Sequence, residues 1–254
     1  MMSIYDGNFF YNQIKNKIQT QTQNKKTNFI DKLAEKAQKN IKKHKEYSPV
    51  IIESGRRIIC KSWWGKAWCQ NLERYADWEN RIERGKDYVK HNTVVDLQIN
   101  GGKISAKVQG APWIPYDIKI MIDPITEKQR QNLCREAAGK IKNLETLIAG
   151  KFPKDLKEFF FREDGLFPNP REIHFSCTCP DYAKMCKHIV AALYGIGVRL
   201  DSDPLYFFQM RGIDVDSFIA KVVGDKVESM LENSEVKSNR IIQNVDLLKI
   251  FGVE

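Results

Sequence analysis

The chain has 254 residues, of which 42% are hydrophobic and 29% charged, and its formal net charge at pH 7 is +9. This apolar content is enough for a hydrophobic core and excludes wholesale disorder, and no run of 18 apolar residues is present that would predict a transmembrane helix. The first eleven residues lack a basic segment followed by an apolar stretch, so we expect no secretory signal and a cytoplasmic protein. In such a protein the six cysteines are better explained as thiols or metal ligands than as a disulfide set.

The basic charge is concentrated toward the N-terminus. Residues 1–60 carry 12 basic and 5 acidic side chains, whereas residues 161–254 carry 11 basic and 14 acidic side chains. A polyanion would therefore be attracted to the first two thirds of the chain. Ordinary solubility charge is the alternative explanation of the same pattern.

The first predicted element is a basic helical arm over residues 1–48. Leu33, Ala37 and Ile41 lie at i, i+4 and i+8, which places them on one face of a helix. The polar stretch 19–28 favours a helix only weakly and predicts a loop or a frayed turn. The lysines that we expect to contact nucleic acid are dense in this arm: Lys25, Lys26, Lys39, Lys42, Lys43 and Lys45.

A helix and a β-meander are predicted for the body of the protein, residues 49–164. The short apolar runs 50–52 and 58–59 suggest a hairpin, and Ser62 suits the N-cap of a strong helix. That helix carries Trp64 and Trp68 on an apolar stripe; base stacking is conceivable, but tryptophans in such a stripe usually belong to a core.

The period of the apolar residues changes between residues 92 and 122. Alternating runs separated by a two-glycine turn and by Gly110-Ala111-Pro112 predict a three-stranded antiparallel meander. Residues 126–149 and 154–161 are predicted to be helices.

The pattern C-x-C-x6-C-x-H lies at Cys177, Cys179, Cys186 and His188. Thiolate sulfur and imidazole nitrogen are the ligands of tetrahedral zinc, and four protein ligands leave no open position for catalysis. The first two cysteines lie at i and i+2 at the end of a strand and project to one side, while the other two ligands open a helix. The sequence therefore predicts one structural Zn²⁺. Buried free cysteines and a Cys–His hydrolase pair are the weaker alternatives, because no orienting partner for such a pair is evident.

The remaining cysteines and histidines fit this site less well. Cys60, Cys69 and Cys134 match no ligand spacing and are simplest as small buried thiols. His174 is a possible rival ligand, but it alternates away from its inward-pointing neighbours.

The stretch Cys177-Thr178-Cys179-Pro180-Asp181-Tyr182, followed by Cys186-Lys187-His188 and a small apolar helix, resembles a SWIM zinc finger. All four ligand positions of that signature match. Residues 62–68, 81–109 and 203–212 also resemble prokaryotic proteins of this family, so the resemblance covers roughly residues 50–215. It implies a zinc-binding module for DNA or protein interaction, whose relatives are associated with Swi/Snf-type helicase-like ATPases and MuDR-type transposases.

Together these observations predict an α+β protein with a helical basic N-terminus, a helix plus antiparallel β-meander body, a small treble-like zinc-finger subdomain and C-terminal helices. The expected boundaries are 1–48, 49–164, 165–212 and 213–254. The expected function is a non-enzymatic zinc-binding accessory of DNA-handling machinery that binds DNA, a Swi/Snf-type helicase-like ATPase, or both. A pure protein–protein adaptor without nucleic-acid contact is the alternative. No membrane or small-molecule substrate is expected as a partner.

Overall fold

The computed structural model describes residues 6–53, 58–73, 79–140, 165–181 and 183–214, together with scattered positions between 216 and 231. Its elements, in chain order, are helices α1 (Asp6–Lys43), α2 (Trp63–Glu73) and α3 (Glu79–Lys90), strands β1 (Val94–Asn100), β2 (Lys103–Val108) and β3 (Tyr116–Ile122), helix α4 (Glu127–Lys140), strand β4 (Ile173–Cys177), and helices α5 (Lys187–Ser202) and α6 (Tyr206–Met210).

These elements confirm the predicted α+β class. The predicted helices beyond residue 140 and most of the predicted C-terminal segment lie outside the described residues. Within the described part of the chain, no helix combines the length and apolar character that crossing a membrane requires. The division into four segments stays a prediction, and described residues of the arm, body and finger contribute to one hydrophobic core.

In the described part of the chain the sheet has four antiparallel strands in the order β1-β2-β3-β4. The predicted meander accounts for the first three, and Gly101, with φ of 59°, lies in the tight turn between β1 and β2. The fourth strand comes from the segment that leads into the cysteine cluster. It pairs with β3 so that Ile173 lies opposite Ile122 and Cys177 opposite Ile118. The finger is therefore joined to the sheet of the body through main-chain hydrogen bonds.

Helix α5 occupies the centre of the molecule. It packs against the inner face of the sheet and also contacts α2 and α3, and eleven of its sixteen residues are buried. A helix that is apolar on nearly every side needs such a position. Helix α3 approaches closely, because a Cβ added to Gly85 would lie 2.3 Å from Val190 Cγ1.

Helix α2 begins as predicted and packs its tryptophans onto α5. Ser62 Oγ accepts a hydrogen bond of 2.9 Å from the Gly65 amide, which is N-cap geometry. The indole N–H of the fully buried Trp68 donates to the Leu193 carbonyl at 2.9 Å, and that of Trp64 donates to the Leu200 carbonyl at 2.8 Å. For these two residues the core interpretation agrees with the structure.

Two local predictions were wrong. Residues 19–28 form no loop, because α1 runs without a break from Asp6 to Lys43. The apolar run 50–52 forms no hairpin with 58–59 among the described residues. Instead the Val50 amide donates to the Val94 carbonyl, and the Leu97 amide donates to the Ser48 carbonyl. The open edge of β1 offers unpaired backbone groups, and this segment satisfies them.

Candidate metal centre

The structure brings the four predicted ligands into one cluster. One ligand atom from each of Cys177, Cys179, Cys186 and His188 lies within 4.8 Å of every other. Zinc bound tetrahedrally at ordinary Zn–S and Zn–N lengths separates its ligand atoms by about 3.6–3.8 Å. The separation between Cys186 Sγ and His188 Nδ1 is 3.9 Å. Both the donor set and its spacing therefore fit Zn²⁺ after small side-chain adjustments.

The first ligand pair is positioned by the end of the sheet. Cys177 is the last residue of β4, and two hydrogen bonds continue the pairing one residue further. The Thr178 amide donates to the Asp117 carbonyl at 3.1 Å, and the Asp117 amide donates to Thr178 Oγ1 at 3.0 Å. Because alternate residues of an extended chain point to the same side, Cys177 and Cys179 both face the metal position.

The second ligand pair is positioned by the start of α5. Cys186 is the N-cap residue of this helix and His188 is its second residue. The amide groups of a helix N-terminus favour negative charge, so this position stabilises a thiolate. The helix thus supplies two ligands and a favourable electrostatic field from one short segment.

Two tyrosines enclose the imidazole of His188, which is only 2% exposed. The ring of Tyr116 lies 4.5 Å from it and that of Tyr88 lies 5.3 Å from it, measured between centroids. Nδ1 faces the sulfur atoms, while Nε2 is buried without a hydrogen-bond partner among the described residues. A buried imidazole held in this way, with one nitrogen at a thiol cluster, is suited to metal ligation.

An ion pair fastens the loop between the two ligand pairs to α3. Arg81 Nη1 donates to both carboxylate oxygens of Asp181, at 2.8 and 3.0 Å, and Asp181 also accepts from the Ala183 amide at 3.2 Å. The Arg81 guanidinium lowers the pKa of the Asp181 carboxyl. The same helix therefore contributes both Arg81 and Tyr88 to the surroundings of the metal.

The thiols influence one another strongly. Hydrogen bonding from Cys177 lowers the pKa of Cys186, while hydrogen bonding with Cys186 and burial raise the pKa of Cys177. Without metal the cluster therefore favours one thiolate that is hydrogen-bonded by its neighbours. Zinc binding requires all three thiolates, so it releases protons. The loaded centre then carries a net charge of about −1, from three thiolates and one Zn²⁺.

The other candidate residues lie elsewhere. His174 points outward from β4 and contacts Asp123 at 3.2 Å, as its alternation predicts. Cys60, in the segment before α2, and Cys69, on α2, are both buried, and their sulfur atoms lie 3.4 Å apart. Sequence spacing had not indicated that these two thiols meet. The side chain of Cys134 lies outside the described residues.

The lysines predicted to contact nucleic acid are only partly described. Lys39, Lys42, Lys43 and Lys45 are exposed, whereas the side chains of Lys25 and Lys26 lie outside the described residues. The sequence prediction had not included Lys32 and Lys36, although their helical spacing with Lys39 was readable. It had also missed the tyrosines that enclose His188, which no local signal connects with the cluster.

Comparisons with known proteins agree with this centre. A family model described as SWIM zinc finger matches residues 171–195, which span β4, the connecting loop and the first half of α5. Uncharacterized protein Rv2102 of Mycobacterium tuberculosis is 31% identical to this chain over 181 residues, which make up 70% of the chain and 65% of that relative. No solved structure matches the chain.

The closed Cys3His cluster between the end of β4 and the start of α5 is the ligand set of a zinc finger. More particularly, the chain carries a SWIM zinc finger with a structural Zn²⁺, as the sequence predicted. This finger is a binding module with no open coordination position for a substrate.

Proposed function

We propose that the protein is a non-enzymatic zinc-binding accessory of DNA-handling machinery and that it binds DNA through helix α1. The observation that carries this proposal is a row of lysines at i, i+4, i+7 and i+11 on that helix. We call it the lysine stripe, and it consists of Lys32, Lys36, Lys39 and Lys43. Residues at these spacings share one helical face.

The stripe is accessible because α1 is anchored by a different face. Leu33 and Ala37 are buried in the core, while Lys32, Lys39 and Lys43 are exposed. At 1.5 Å per residue the stripe is about 17 Å long, which matches the rise of about five phosphates along one strand of a duplex. Asp31 and Glu35 fall to one side of it at helical spacing and leave the row itself basic.

The finger has a supporting role in this proposal. The loaded metal centre is slightly anionic, so its own charge does not attract a polyanion. Zinc instead holds the end of β4 against the start of α5, and α5 is the helix on which the body packs. We propose that the metal keeps the body in the conformation that presents α1.

A Swi/Snf-type helicase-like ATPase is the proposed protein partner, on the basis of the resemblance to SWIM proteins. The acidic balance of residues 161–254, with 14 acidic and 11 basic side chains, supports a protein contact rather than a DNA contact for that part. A pure adaptor that touches no nucleic acid is the second candidate, and this acidic balance is the observation that favours it.

The test uses point substitutions, because deleting α1 would also remove the core residues Leu33 and Ala37. The variant Lys32→Gln/Lys39→Gln/Lys43→Gln removes three charges from the stripe. The matched control removes three charges from exposed lysines elsewhere: Lys119→Gln/Lys128→Gln/Lys221→Gln. Duplex affinity is measured against salt concentration for both, with zinc content as the check on folding.

We expect the stripe variant to weaken duplex binding and to flatten the log–log salt slope by about 0.9 for each lysine that contacts a phosphate. The control should change the slope much less. Equal effects of the two variants would show that the binding follows net charge and not this helix. If the native protein shows no salt-dependent DNA binding, the adaptor function replaces the proposal.

A further inference from the structure

The loop between β2 and β3, residues 109–115, exposes two large apolar side chains. Trp113 is 67% exposed and Ile114 is 78% exposed, the highest values for large apolar side chains among the described residues. A neighbouring pair of this kind exposes apolar area that folding normally removes from water. Such a feature marks an interaction site more often than a single exposed residue does.

The exposure of Trp113 does not come from a loosely held loop. The fully buried Gln109 donates from Nε2 to the Gly110 carbonyl at 3.0 Å and to the Pro112 carbonyl at 2.6 Å. Its Oε1 accepts from Asn40 Nδ2 at 2.7 Å, and Asn40 also donates to the Trp113 carbonyl at 3.1 Å. The loop is therefore tied to α1 and presents its indole in a defined place.

The base of the loop rests on the metal centre. A Cβ added to Gly110 would lie 2.3 Å from the ring of Tyr116 and 3.4 Å from His188 Nε2, so only glycine allows this approach. Tyr116 in turn packs on the imidazole of His188. The loop thus bridges the zinc ligand on one side and α1 on the other.

A lysine of α1 lies beside the indole. Lys36, a member of the lysine stripe, donates to the Ala111 carbonyl at 2.6 Å, and its Nζ lies 5.2 Å from the centroid of the Trp113 ring. An apolar protein surface docking here would have to desolvate this ammonium group. A polyanion with aromatic rings instead satisfies both features, since its phosphates meet the lysines and its bases meet the indole.

We propose that Trp113 stacks on an unpaired base of single-stranded nucleic acid, with Ile114 beside it and the phosphate backbone following the lysine stripe. The inference rests on the proposed function and narrows its substrate class to single strands or single-stranded ends. A duplex can use the lysines, but its bases are already stacked on one another and are closed to the indole. The combination of a cationic track and a rigid aromatic ring is the chemistry by which proteins hold single strands without reading sequence.

The experiment compares a thymidine oligonucleotide with a duplex of the same length, using the full chain loaded with zinc. Trp113→Ala should weaken single-strand binding about 5- to 150-fold, the range for loss of one stacked base. It should leave duplex affinity and the salt slope unchanged, while Trp113→Phe should retain most of the binding. Met121→Ala, which removes another exposed apolar side chain, is the matched control. The oligonucleotide should also quench less tryptophan fluorescence in Trp113→Phe than in the native protein.

The possible failures are distinguishable. If Trp113→Ala binds the oligonucleotide as well as the native protein does, the stacking proposal is wrong while DNA binding through α1 stands. If the native protein binds neither nucleic acid, both proposals fall. If Trp113→Ala instead loses binding to phosphatidylglycerol vesicles and not to the oligonucleotide, the loop is a membrane contact and the proposal is overturned.

Discussion

Replacing Gly85 by alanine tests how closely α3 packs against α5. A Cβ at this position would lie 2.3 Å from Val190 Cγ1, 2.5 Å from Val190 Cβ and 3.1 Å from the Lys187 carbonyl oxygen. Carbon atoms in contact normally stay about 3.5–4.0 Å apart. Two of these neighbours belong to or adjoin the backbone of α5, so no rotamer change relieves the overlap. Helix α3 must therefore move away from α5.

The magnitude follows from two opposing terms. Overpacking of a well-packed core costs about 1–3 kcal/mol, and the replacement of a helical glycine by alanine returns about 0.5–1 kcal/mol. The two terms combine to a loss of about 0–2.5 kcal/mol of unfolding free energy for Gly85→Ala, and overlaps as close as these favour the upper half of that range, which corresponds to a fall in Tm of about 3–10 °C for a chain of this size. Because α3 also carries Tyr88 and Arg81, zinc should pass to a competing chelator faster in this variant.

Thermal unfolding of the zinc-loaded protein measures the first effect, and Gly224→Ala is the matched control. Gly224 is helical and exposed, and among the described residues no atom outside its own helical segment lies within 4 Å of a Cβ placed there. It should therefore show only the gain in helix propensity. If Gly85→Ala is as stable as this control, the packing between α3 and α5 has room for a methyl group and the reasoning is refuted.

Three further outcomes are expected. Elemental analysis should find one zinc per chain in the native protein and in Cys60→Ser but none in Cys179→Ser, and full occupancy in Cys179→Ser would remove that residue from the ligand set. Hydrogen bonding with Cys60 and burial raise the pKa of the Cys69 thiol. Iodoacetamide at pH 8, followed by mass spectrometry, should therefore alkylate Cys69 far more slowly in the native protein than in urea. Equal rates would contradict its burial. Burial alone would raise the pKa of Glu73, but hydrogen bonds from the Tyr194 hydroxyl and from Lys86 outweigh burial, so the pKa is lowered. Above about pH 4.3, the pKa of glutamate in the unfolded chain, the native protein should therefore have a higher Tm than Glu73→Gln. This difference in Tm should disappear as the pH falls through the lower pKa of Glu73 in the folded protein. A difference in Tm that does not change with pH would contradict the assignment.

The metal centre was predictable because its ligands lie within twelve positions of one another. Cys177 and Cys179 are alternate residues at the end of a strand, and Cys186 and His188 lie at the start of a helix, so signals that are close along the chain were enough to predict the ligand set. The meander was predictable for a similar reason, since turn residues and alternation are local signals. The loop predicted at 19–28 was wrong because helix propensity is only a weak guide to the final structure.

The sequence by itself determined the zinc ligands, the α+β class and the helical spacing of the lysine stripe, because each depends on residues that are close along the chain. Only the tertiary structure decided that β4 joins the sheet, that Cys60 meets Cys69, that Tyr116 packs on His188 and that Trp113 faces solvent. From the sequence alone a tryptophan is expected to be buried. The loop that holds Trp113 in solvent is fixed by hydrogen bonds from Asn40 and Lys36, which lie more than 70 positions away along the chain. Such contacts arise from the packing of α1 against the sheet, which no local pattern encodes.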